Sequence, residues 1–271
     1  MNLQIINEKL NRYLSSDSGN HITSEQALTP EMTGLRIYDE PLVGIASADD
    51  PLFSKMKDPE AIGPHFMCPE EWMPEAKSVI SVFLPYSGHI KRANAASASD
   101  VAVEWLHGRV EGQEVLLKTG EYLKSLLIEA GYNAVIPFLD DNFHHVESHD
   151  EGYTSNWSER HVAYICGLGT FGLSKSLITE AGSAGRLVSI ITDHVLPVTP
   201  RKYTELYQYC TFCGACIKRC PAQAISMEYG KKHEPCGDFV HHKRTDYPDH
   251  YGCGKCQTGV PCESKIPSKK E

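Results

Sequence analysis

The clearest hydrophobic pattern in the chain lies between Gly112 and Ala130. Apolar side chains recur there every three to four residues, and mostly polar residues fill the positions between them. This spacing places the apolar residues on one face of a helix, and Gly131 directly afterwards is a typical stop signal. The pattern therefore predicts an amphipathic helix over residues 112–130.

Shorter apolar segments surround this helix. Residues 77–85 are rich in β-branched side chains and end in proline, which predicts a buried strand; residues 133–138 and 186–192 predict two more. Residues 159–166 have a helical pattern that the following glycine would end. Because helices and strands interleave, they predict an α+β or α/β layered fold.

The cysteines predict how the chain divides. They concentrate after residues 198–202, while almost all of the predicted strand and helix content precedes that point. We therefore expect a first domain of residues 1–200 and a second, cysteine-rich domain of residues 201–271.

Composition and charge narrow the functional classes. The 271 residues carry a formal net charge of −9, and no apolar run approaches the length of a membrane span or a signal peptide. We therefore expect a cytoplasmic protein without membrane association, in which the ten cysteines are reduced. A chain this acidic also binds nucleic-acid backbones poorly unless it has a local basic patch.

The densest motif is a run of cysteines with the spacing C-x2-C-x2-C-x3-C-P, which begins at Cys210 and ends at Pro221. This is the spacing of bacterial ferredoxins, where the fourth cysteine ligates the other cluster. Four more cysteines follow, which completes the eight thiolates that two 4Fe-4S clusters need. The predicted ligands are Cys210, Cys213, Cys216 and Cys262 for one cluster, and Cys220, Cys236, Cys253 and Cys256 for the other.

The second half of this cysteine pattern departs from the ferredoxin repeat. Five residues separate Cys256 from Cys262, where the first run has three. Structural zinc is an alternative, since distant C-x2-C pairs also form zinc ribbons, but zinc would leave two cysteines of the first run without a role. Cys68 and Cys166 lie outside the pattern and are expected to be small buried residues.

A glycine-rich segment, Gly167-Leu-Gly169-Thr-Phe-Gly172, follows the helix predicted over residues 159–166. Its G-x-G-x-x-G pattern is a weak dinucleotide signal, because that fingerprint must follow a strand and open a helix. A plain helix-ending turn is the other interpretation of the same glycines.

The order of several motifs resembles one family. Glu159-Arg160, the glycine-rich segment, a Gly-Arg-Leu at 185–187, an Ile-Thr-Asp at 191–193 and the cysteine run occur in the order found in epoxyqueuosine reductases and reductive dehalogenases. The resemblance implies an α+β fold, with a nitroreductase-like cobalamin-binding domain followed by a two-cluster ferredoxin-like domain. It also implies that electrons pass from the clusters to a base-off cobalamin, which reduces an unidentified small substrate. The residues that it places near the corrin are Gly167, Leu168, Gly169, Thr170, Gly172 and Lys175.

The chain departs from this family at two places. Tyr153 stands six residues before Glu159, where epoxyqueuosine reductases have an aspartate proton donor. Because reductive dehalogenases are thought to use a tyrosine, Tyr153 is a candidate acid with Asp150 as its charged neighbour, although a simple core or surface tyrosine is the favoured interpretation. The sequence also ends soon after its last cysteine, where epoxyqueuosine reductases continue into a helical-repeat region that helps hold transfer RNA. Together with the acidic charge, this makes transfer RNA an unlikely partner.

Two other functions stay open at this point. The chain could pass electrons to a partner corrinoid or flavin protein without turnover of its own, or it could bind flavin in place of cobalamin. The expected partners are a low-potential electron donor, such as ferredoxin or flavodoxin, and a small-molecule substrate. A segment containing His144, His145 and His149 could ligate a metal or form a polar loop at the mouth of a cleft.

Overall fold

The computed structural model describes residues 1–16, 19–97, 100–148, 152–242 and 247–268, which form an α+β fold. The helices are α1 (Leu3–Ser15), α2 (Pro51–Lys55), α3 (Pro69–Trp72), α4 (Gly88–Ala96), α5 (Val103–Arg109), α6 (Glu111–Glu129), α7 (Glu159–Ile165), α8 (Ala215–Arg219) and α9 (His233–His242). The strands are β1 (Leu42–Ser47), β2 (Ser78–Pro85), β3 (Ala134–Val135), β4 (His145–Ser148), β5 (Gly152–Ser155), β6 (Gly169–Phe171), β7 (Leu177–Thr179), β8 (Gly185–Thr192), β9 (Ile225–Ser226) and β10 (Gly230–Lys231). The expected α+β class is confirmed.

A four-stranded antiparallel sheet organises the first part of the chain. Its strands follow the order β1-β2-β8-β3, so the two long strands β2 and β8 lie at its centre. Ile80 of β2 pairs with Ile45 of β1 on one side and with Ile190 of β8 on the other. β2 is buried at every position, as expected for a strand covered on both faces.

Two hydrophobic clusters cover the two faces of this sheet. Ile80 and Val82 belong to the cluster that includes buried residues of α1 and α6, whereas Val79 belongs to the one that includes α7 and Trp157. Alternate side chains of a strand point to opposite faces, which explains this division. The ring of Trp157 stacks on Phe66 at a centroid distance of 5.6 Å. The sheet is therefore held between two helical layers.

The strongest sequence patterns are confirmed. The amphipathic helix predicted over 112–130 is α6, and the strands predicted over 77–85 and 186–192 are β2 and β8. The strand predicted over 133–138 is wrong in its length. Only Ala134 and Val135 pair with β8, because Pro137 lacks a backbone N–H and begins a 3-10 turn, Pro137–Leu139.

Two basic side chains anchor the cysteine-rich segment to α4. The ammonium group of Lys255, which is only 1% exposed, donates to the carbonyls of Asn94 at 2.9 Å and Ser97 at 2.7 Å. The guanidinium of Arg219 donates to the carbonyl of Ala95 at 3.2 Å. Carbonyls at a helix C-terminus lack helical partners and carry partial negative charge, so cations suit this position. These contacts fix the cysteine loops against the first part of the chain.

The four-stranded sheet lies entirely before residue 200, and the elements described after that point are α8, α9 and the short hairpin of β9 and β10. The division at residues 200 and 201 stays a prediction. Across the described ranges, the helices are all too short or too polar to cross a bilayer.

Candidate functional site

The structure brings Cys210, Cys213 and Cys262 together at the surface of the cysteine-rich segment. Burial, and then the neighbouring Cys210 and Cys213, raise the pKa of the Cys262 thiol. Cys216 lies near these three cysteines and also near Cys256: burial raises the pKa of its thiol most, followed by Cys256 and then by Cys262, Cys210 and Cys213. The hydroxyl of Ser183 donates to Cys262 Sγ at 3.8 Å. Cys213 is exposed, so this first cysteine set reaches the protein surface.

The remaining cysteines, Cys220, Cys236, Cys253 and Cys256, form a second set deeper in the molecule. Burial is the main cause of the raised pKa of Cys253, and Cys256, Cys236 and Cys220 add to it. The backbone N–H of Ala224 donates to Cys220 Sγ at 3.3 Å. Hydrogen bonds of this kind to ligand sulfurs tune the potential of iron–sulfur clusters. Which cysteines ligate which cluster stays a prediction.

The spacing of the sulfur atoms bears on the zinc alternative. Among the described residues, one group of three or more His, Cys, Asp or Glu side chains has its ligand atoms all within 4.8 Å, and it contains no cysteine. Tetrahedral zinc at about 2.3 Å from each thiolate requires sulfurs about 3.8 Å apart. The sulfurs of each set are therefore farther apart than a single zinc ion allows, which suits a larger cluster.

That compact group, His107, Glu111 and His250, was missed by sequence reasoning because His250 is far along the chain from the other two. The backbone N–H of Leu28 donates to His107 Nε2 at 3.2 Å, so His107 Nδ1 carries the proton and donates to Glu111 at 2.9 Å. His250 Nε2 lies 2.9 Å from the other carboxylate oxygen. Despite desolvation, these hydrogen bonds hold the pKa of Glu111 below its usual value. The group is a hydrogen-bond network that ties the cysteine-rich segment to α6.

A cavity of about 450 Å³ lies between α5, α6 and β8 on one side and the cysteine-rich segment on the other. All four cysteines of the second set line it, and none of the first set does. Trp105, Tyr86 and Phe83 supply aromatic surface. The volume is within the range of about 300–1,000 Å³ that is typical of small-molecule sites. A ligand in this cavity would lie against the second cysteine set.

Five cations line this cavity in a protein that is acidic as a whole. They are Arg109, Arg160, Arg186, Lys231 and Lys255, the last of which donates to carbonyls at the end of α4. Within the described part of the chain, none of the other four forms an ion pair with a carboxylate. Arg160 and Lys231 lie near the second cysteine set: the thiols of Cys256 and Cys236 act to raise the pKa of both side chains, against their desolvation. Of the cations that line the cavity, the sequence motifs included only Arg160 and Arg186, and their place in a cavity was not predicted.

Glu159 is the one acidic residue among those that line the cavity. Its two carboxylate oxygens are shielded from solvent and have no hydrogen-bond partner among the described residues. Desolvation raises its pKa to about 7, and neighbouring Ser189 offsets this only in part. The side chain therefore holds a proton far more readily than an exposed carboxyl does, and it forms no ion pair with the adjacent Arg160 in the described part of the chain.

The glycine-rich segment has a packing role in the structure. Gly167 ends α7 with φ at +85°, a conformation that favours glycine. A Cβ on Gly169 would lie 2.0 Å from the carbonyl oxygen of Ile178, because β6 and β7 form a close hairpin. The segment thus opens a hairpin and not a helix, which is the wrong context for a dinucleotide fingerprint.

The predicted corrin contacts are not among the residues that line the cavity. Thr170 Oγ1 instead accepts a hydrogen bond at 2.9 Å from the backbone N–H of Tyr209, next to Cys210. Lys175 is exposed at the turn between β6 and β7, with φ at +59°. Of the six residues Gly167, Leu168, Gly169, Thr170, Gly172 and Lys175, Thr170 thus supports the first cysteine loop, and a contact of any of them to a corrin stays a prediction.

The candidate acid lies in a separate hairpin. Tyr153 is in β5, where its backbone pairs with Glu147 of β4, and α9 packs beside this strand. Asp150 lies outside the described residues, as does His149. His144 belongs to a polar loop, in which its N–H donates to Asn156 Oδ1 at 3.0 Å. Because His145 begins β4 and His149 is not described, the role of the histidine segment stays a prediction, as does the catalytic role of Tyr153.

Comparisons with known proteins agree with the iron–sulfur interpretation. Residues 206–226 match a 4Fe-4S binding domain. Among curated proteins, the epoxyqueuosine reductase of Bacillus cereus is 27% identical over 208 residues, which cover 71% of this chain and 50% of that protein. The epoxyqueuosine reductase of Bacillus subtilis is 24% identical over 275 residues, covering 96% and 64%. The chain thus spans half to just under two thirds of the length of these relatives.

Solved structures show the same fold. An epoxyqueuosine reductase with a modified tRNA-Tyr stem loop aligns with a TM-score of 0.54 and 19% identity, over 97% of this chain and 66% of that one. A reductive dehalogenase whose structure suggests a mechanism for B12-dependent dehalogenation aligns with a TM-score of 0.53 and 16% identity, over 83% and 30%.

One expectation about partners is contradicted by these comparisons. Transfer RNA was expected to be an unlikely partner. An epoxyqueuosine reductase of the same fold, however, has been solved with a transfer RNA stem loop. The acidic net charge was a poor guide, because nucleic-acid binding depends on the local charge of a surface and not on the sum over the chain.

The cysteine sets, the sequence relatives and the shared fold agree with one another. This chain is an iron–sulfur protein that is homologous to epoxyqueuosine reductases and similar in structure to reductive dehalogenases.

Proposed function

We propose that this protein is a cobalamin-dependent reductase in which two 4Fe-4S clusters deliver single electrons to the cavity. The observation that carries the proposal is the order of the two cysteine sets. The first set reaches the surface at Cys213, whereas the second set forms part of the cavity wall. An electron accepted at the surface can therefore pass inward, through the second set, to a group in the cavity.

The ligand assignment that follows from this arrangement has two parts. Cys210, Cys213, Cys216 and Cys262 would hold the outer cluster, and Cys220, Cys236, Cys253 and Cys256 the inner one. The mutual influence of the thiols within each set supports this grouping. Arg160 and Lys231 would offset the negative charge of the inner thiolates, since both lie near Cys236 and Cys256.

The cavity offers surfaces that suit part of a large flat cofactor. Aromatic side chains, Phe83 and Tyr251 among them, line it together with the inner cysteines. When bound, cobalamin would supply a low-valent cobalt centre for reductive bond cleavage. The chain's own residues would exclude water, hold the cofactor near the inner cluster and supply a proton. Tyr153 and Asp150 are kept as the proposed proton-donating pair.

A direct test is to titrate cobalamin into anaerobic, cluster-reconstituted protein and to follow the visible spectrum. The proposal predicts saturable binding with about one cobalamin per chain. Intact clusters with no spectral change would instead favour a carrier that reduces another protein.

That carrier function has a specific observation in its favour. Exposed apolar side chains, Tyr207 and Phe212 among them, lie next to the exposed Cys213 in the first loop. Such a surface suits docking of a second redox protein near the outer cluster. Consumption of a substrate by the purified protein would separate the two functions.

A further inference from the structure

We infer that Arg109 and Arg186 form an oxyanion-binding subsite in the cavity, which takes a carboxylate or phosphate group. The inference rests on the proposed function insofar as the cavity is the reaction site. It adds the chemical class of the molecule held there. The anion belongs either to the molecule that is reduced or to the phosphodiester of the cofactor's nucleotide tail.

Arg109 and Arg186 are held at the wall of the same cavity. Arg109 is the last residue of α5, and Arg186 is the second residue of β8, yet both line the same cavity. The guanidinium carbon of Arg109 lies 4.5 Å from the centre of the Tyr251 ring, which fixes its orientation. One terminal nitrogen of Arg186 donates to Gln113 Oε1. Both side chains are therefore held in place at the cavity wall.

The positive charges of Arg109 and Arg186 are not neutralised by a carboxylate in the described part of the chain. Desolvation, followed by the nearby charge of Arg186, lowers the pKa of Arg109. Neither arginine has a carboxylate partner within the described part of the chain, and Arg186 Nε is buried without a hydrogen-bond acceptor. Two desolvated charges of the same sign are costly unless an anion or hydrogen bonds compensate them. The pair thus has binding capacity that the described protein does not use.

Arg109 and Arg186 differ from Arg160 and Lys231 in their relation to the inner cysteines. The charges of Arg160 and Lys231 are accounted for by the inner thiols, because Cys236 and Cys256 influence both of them. No cysteine is among the groups that shift the pKa of Arg109 or Arg186. The groups that act to raise the pKa of both arginines are Tyr86, Tyr38 and Tyr251, and no carboxylate or cysteine is among them. The described protein thus supplies hydrogen-bonding neighbours but no anion for this pair.

The geometry of a guanidinium group and the apolar lining of the cavity indicate which kind of anion would bind. A guanidinium presents a planar fork of donors, which matches two oxygens of a carboxylate or phosphate. Apolar side chains of Leu116, Phe138 and Val188 line the cavity as well. The site thus suits an organic molecule with an apolar body and one oxyanion.

The test uses the full-length, cluster-reconstituted protein without cobalamin. Binding of inorganic phosphate and of benzoate is measured by calorimetry for wild type, Arg109→Gln, Arg186→Gln and Arg186→Lys. The exposed Arg12 on α1 provides the matched control, Arg12→Gln. Iron content and circular dichroism verify that each variant is folded.

We expect at least one probe to bind wild type, with at least tenfold weaker binding in either glutamine variant. Arg186→Lys is expected to lie between them, because it keeps the charge and loses the fork, and Arg12→Gln is expected to match wild type. Absence of binding in wild type, or equal affinity in wild type and both glutamine variants, would overturn the inference.

A second arm identifies the source of the anion. Cobinamide lacks the nucleotide phosphodiester of cobalamin, so both are titrated into wild type and the glutamine variants. Weaker binding of cobalamin alone in the variants supports a subsite for the cofactor's phosphodiester. Unchanged binding of both corrinoids, with weaker binding of phosphate or benzoate, supports a subsite for the reduced molecule. If no corrinoid binds while phosphate or benzoate still depends on the arginines, the proposed function fails and the subsite stands.

Discussion

Glu159 gives the chain a measurable dependence of stability on pH. Desolvation raises the pKa of this carboxyl from 4.5 to about 7 in the folded protein. The folded state therefore keeps a proton that the unfolded state releases. The resulting stabilisation is fully present below pH 4.5, and it is lost as the pH rises through 7. A shift of this size corresponds to about 3 kcal/mol.

The substitution Glu159→Gln removes the titration and keeps the shape of the side chain. Between pH 5 and pH 8.5, the variant should therefore gain about 2.5 kcal/mol relative to wild type. For a chain of this size that is a relative rise in Tm of roughly 5–10 °C. At pH 5 the effect of titration is below about 1 kcal/mol, because the carboxyl is still protonated in the folded protein.

The assay is anaerobic thermal unfolding of the cluster-loaded proteins at a series of pH values. The exposed Glu129 at the end of α6 supplies the control Glu129→Gln, for which the difference from wild type should not change with pH. Taking differences at each pH removes the contributions of all other titrating groups. A constant difference between Glu159→Gln and wild type across this range would refute the buried, unpaired carboxyl.

Three further predictions concern the clusters and their supports. Cys213→Ser and Cys256→Ser should each lower bound iron by about half, and the double variant should lose nearly all of it; iron analysis that shows no loss in either single variant would contradict two separate clusters. Gly169→Ala should abolish soluble expression, because its Cβ would lie 2.0 Å from the carbonyl oxygen of Ile178, and wild-type yield and Tm would contradict the tight hairpin. Lys255→Met should lower Tm by several degrees, because it removes two hydrogen bonds to carbonyls of α4 and its C-terminal end. Each of these bonds is worth about 1.5–3 kcal/mol. An unchanged Tm would contradict the anchoring role of Lys255.

Part of the fold could be predicted because it depends on local periodicity. The apolar stripe of α6 and the β-branched run of β2 each match one regular structure and are buried along that pattern. The same reasoning failed at residues 133–138, where an apolar run suggested a strand but Pro137 ended the pairing. Periodicity records which residues are apolar, and it does not count the backbone hydrogen bonds available to them.

The site was predictable only where its residues are close in sequence. Cysteine spacing alone indicated the iron–sulfur ligands, whereas Arg109 and Arg186 come together through tertiary packing and have no common motif. Glu159 and Arg160 show the converse, since they are neighbours in sequence without forming an ion pair in the described structure. Adjacent residues on a short helix point in different directions, so proximity in the chain is not contact.

The most direct test of the central claim is the electron paramagnetic resonance spectrum of cobalt(II) cobalamin bound to cluster-reconstituted protein. The account predicts a base-off spectrum at a ratio of about one cobalamin per chain, which broadens when the inner cluster is reduced, because the second cysteine set lines the cavity. A spectrum identical to that of free cobalamin, with both clusters intact, would contradict it.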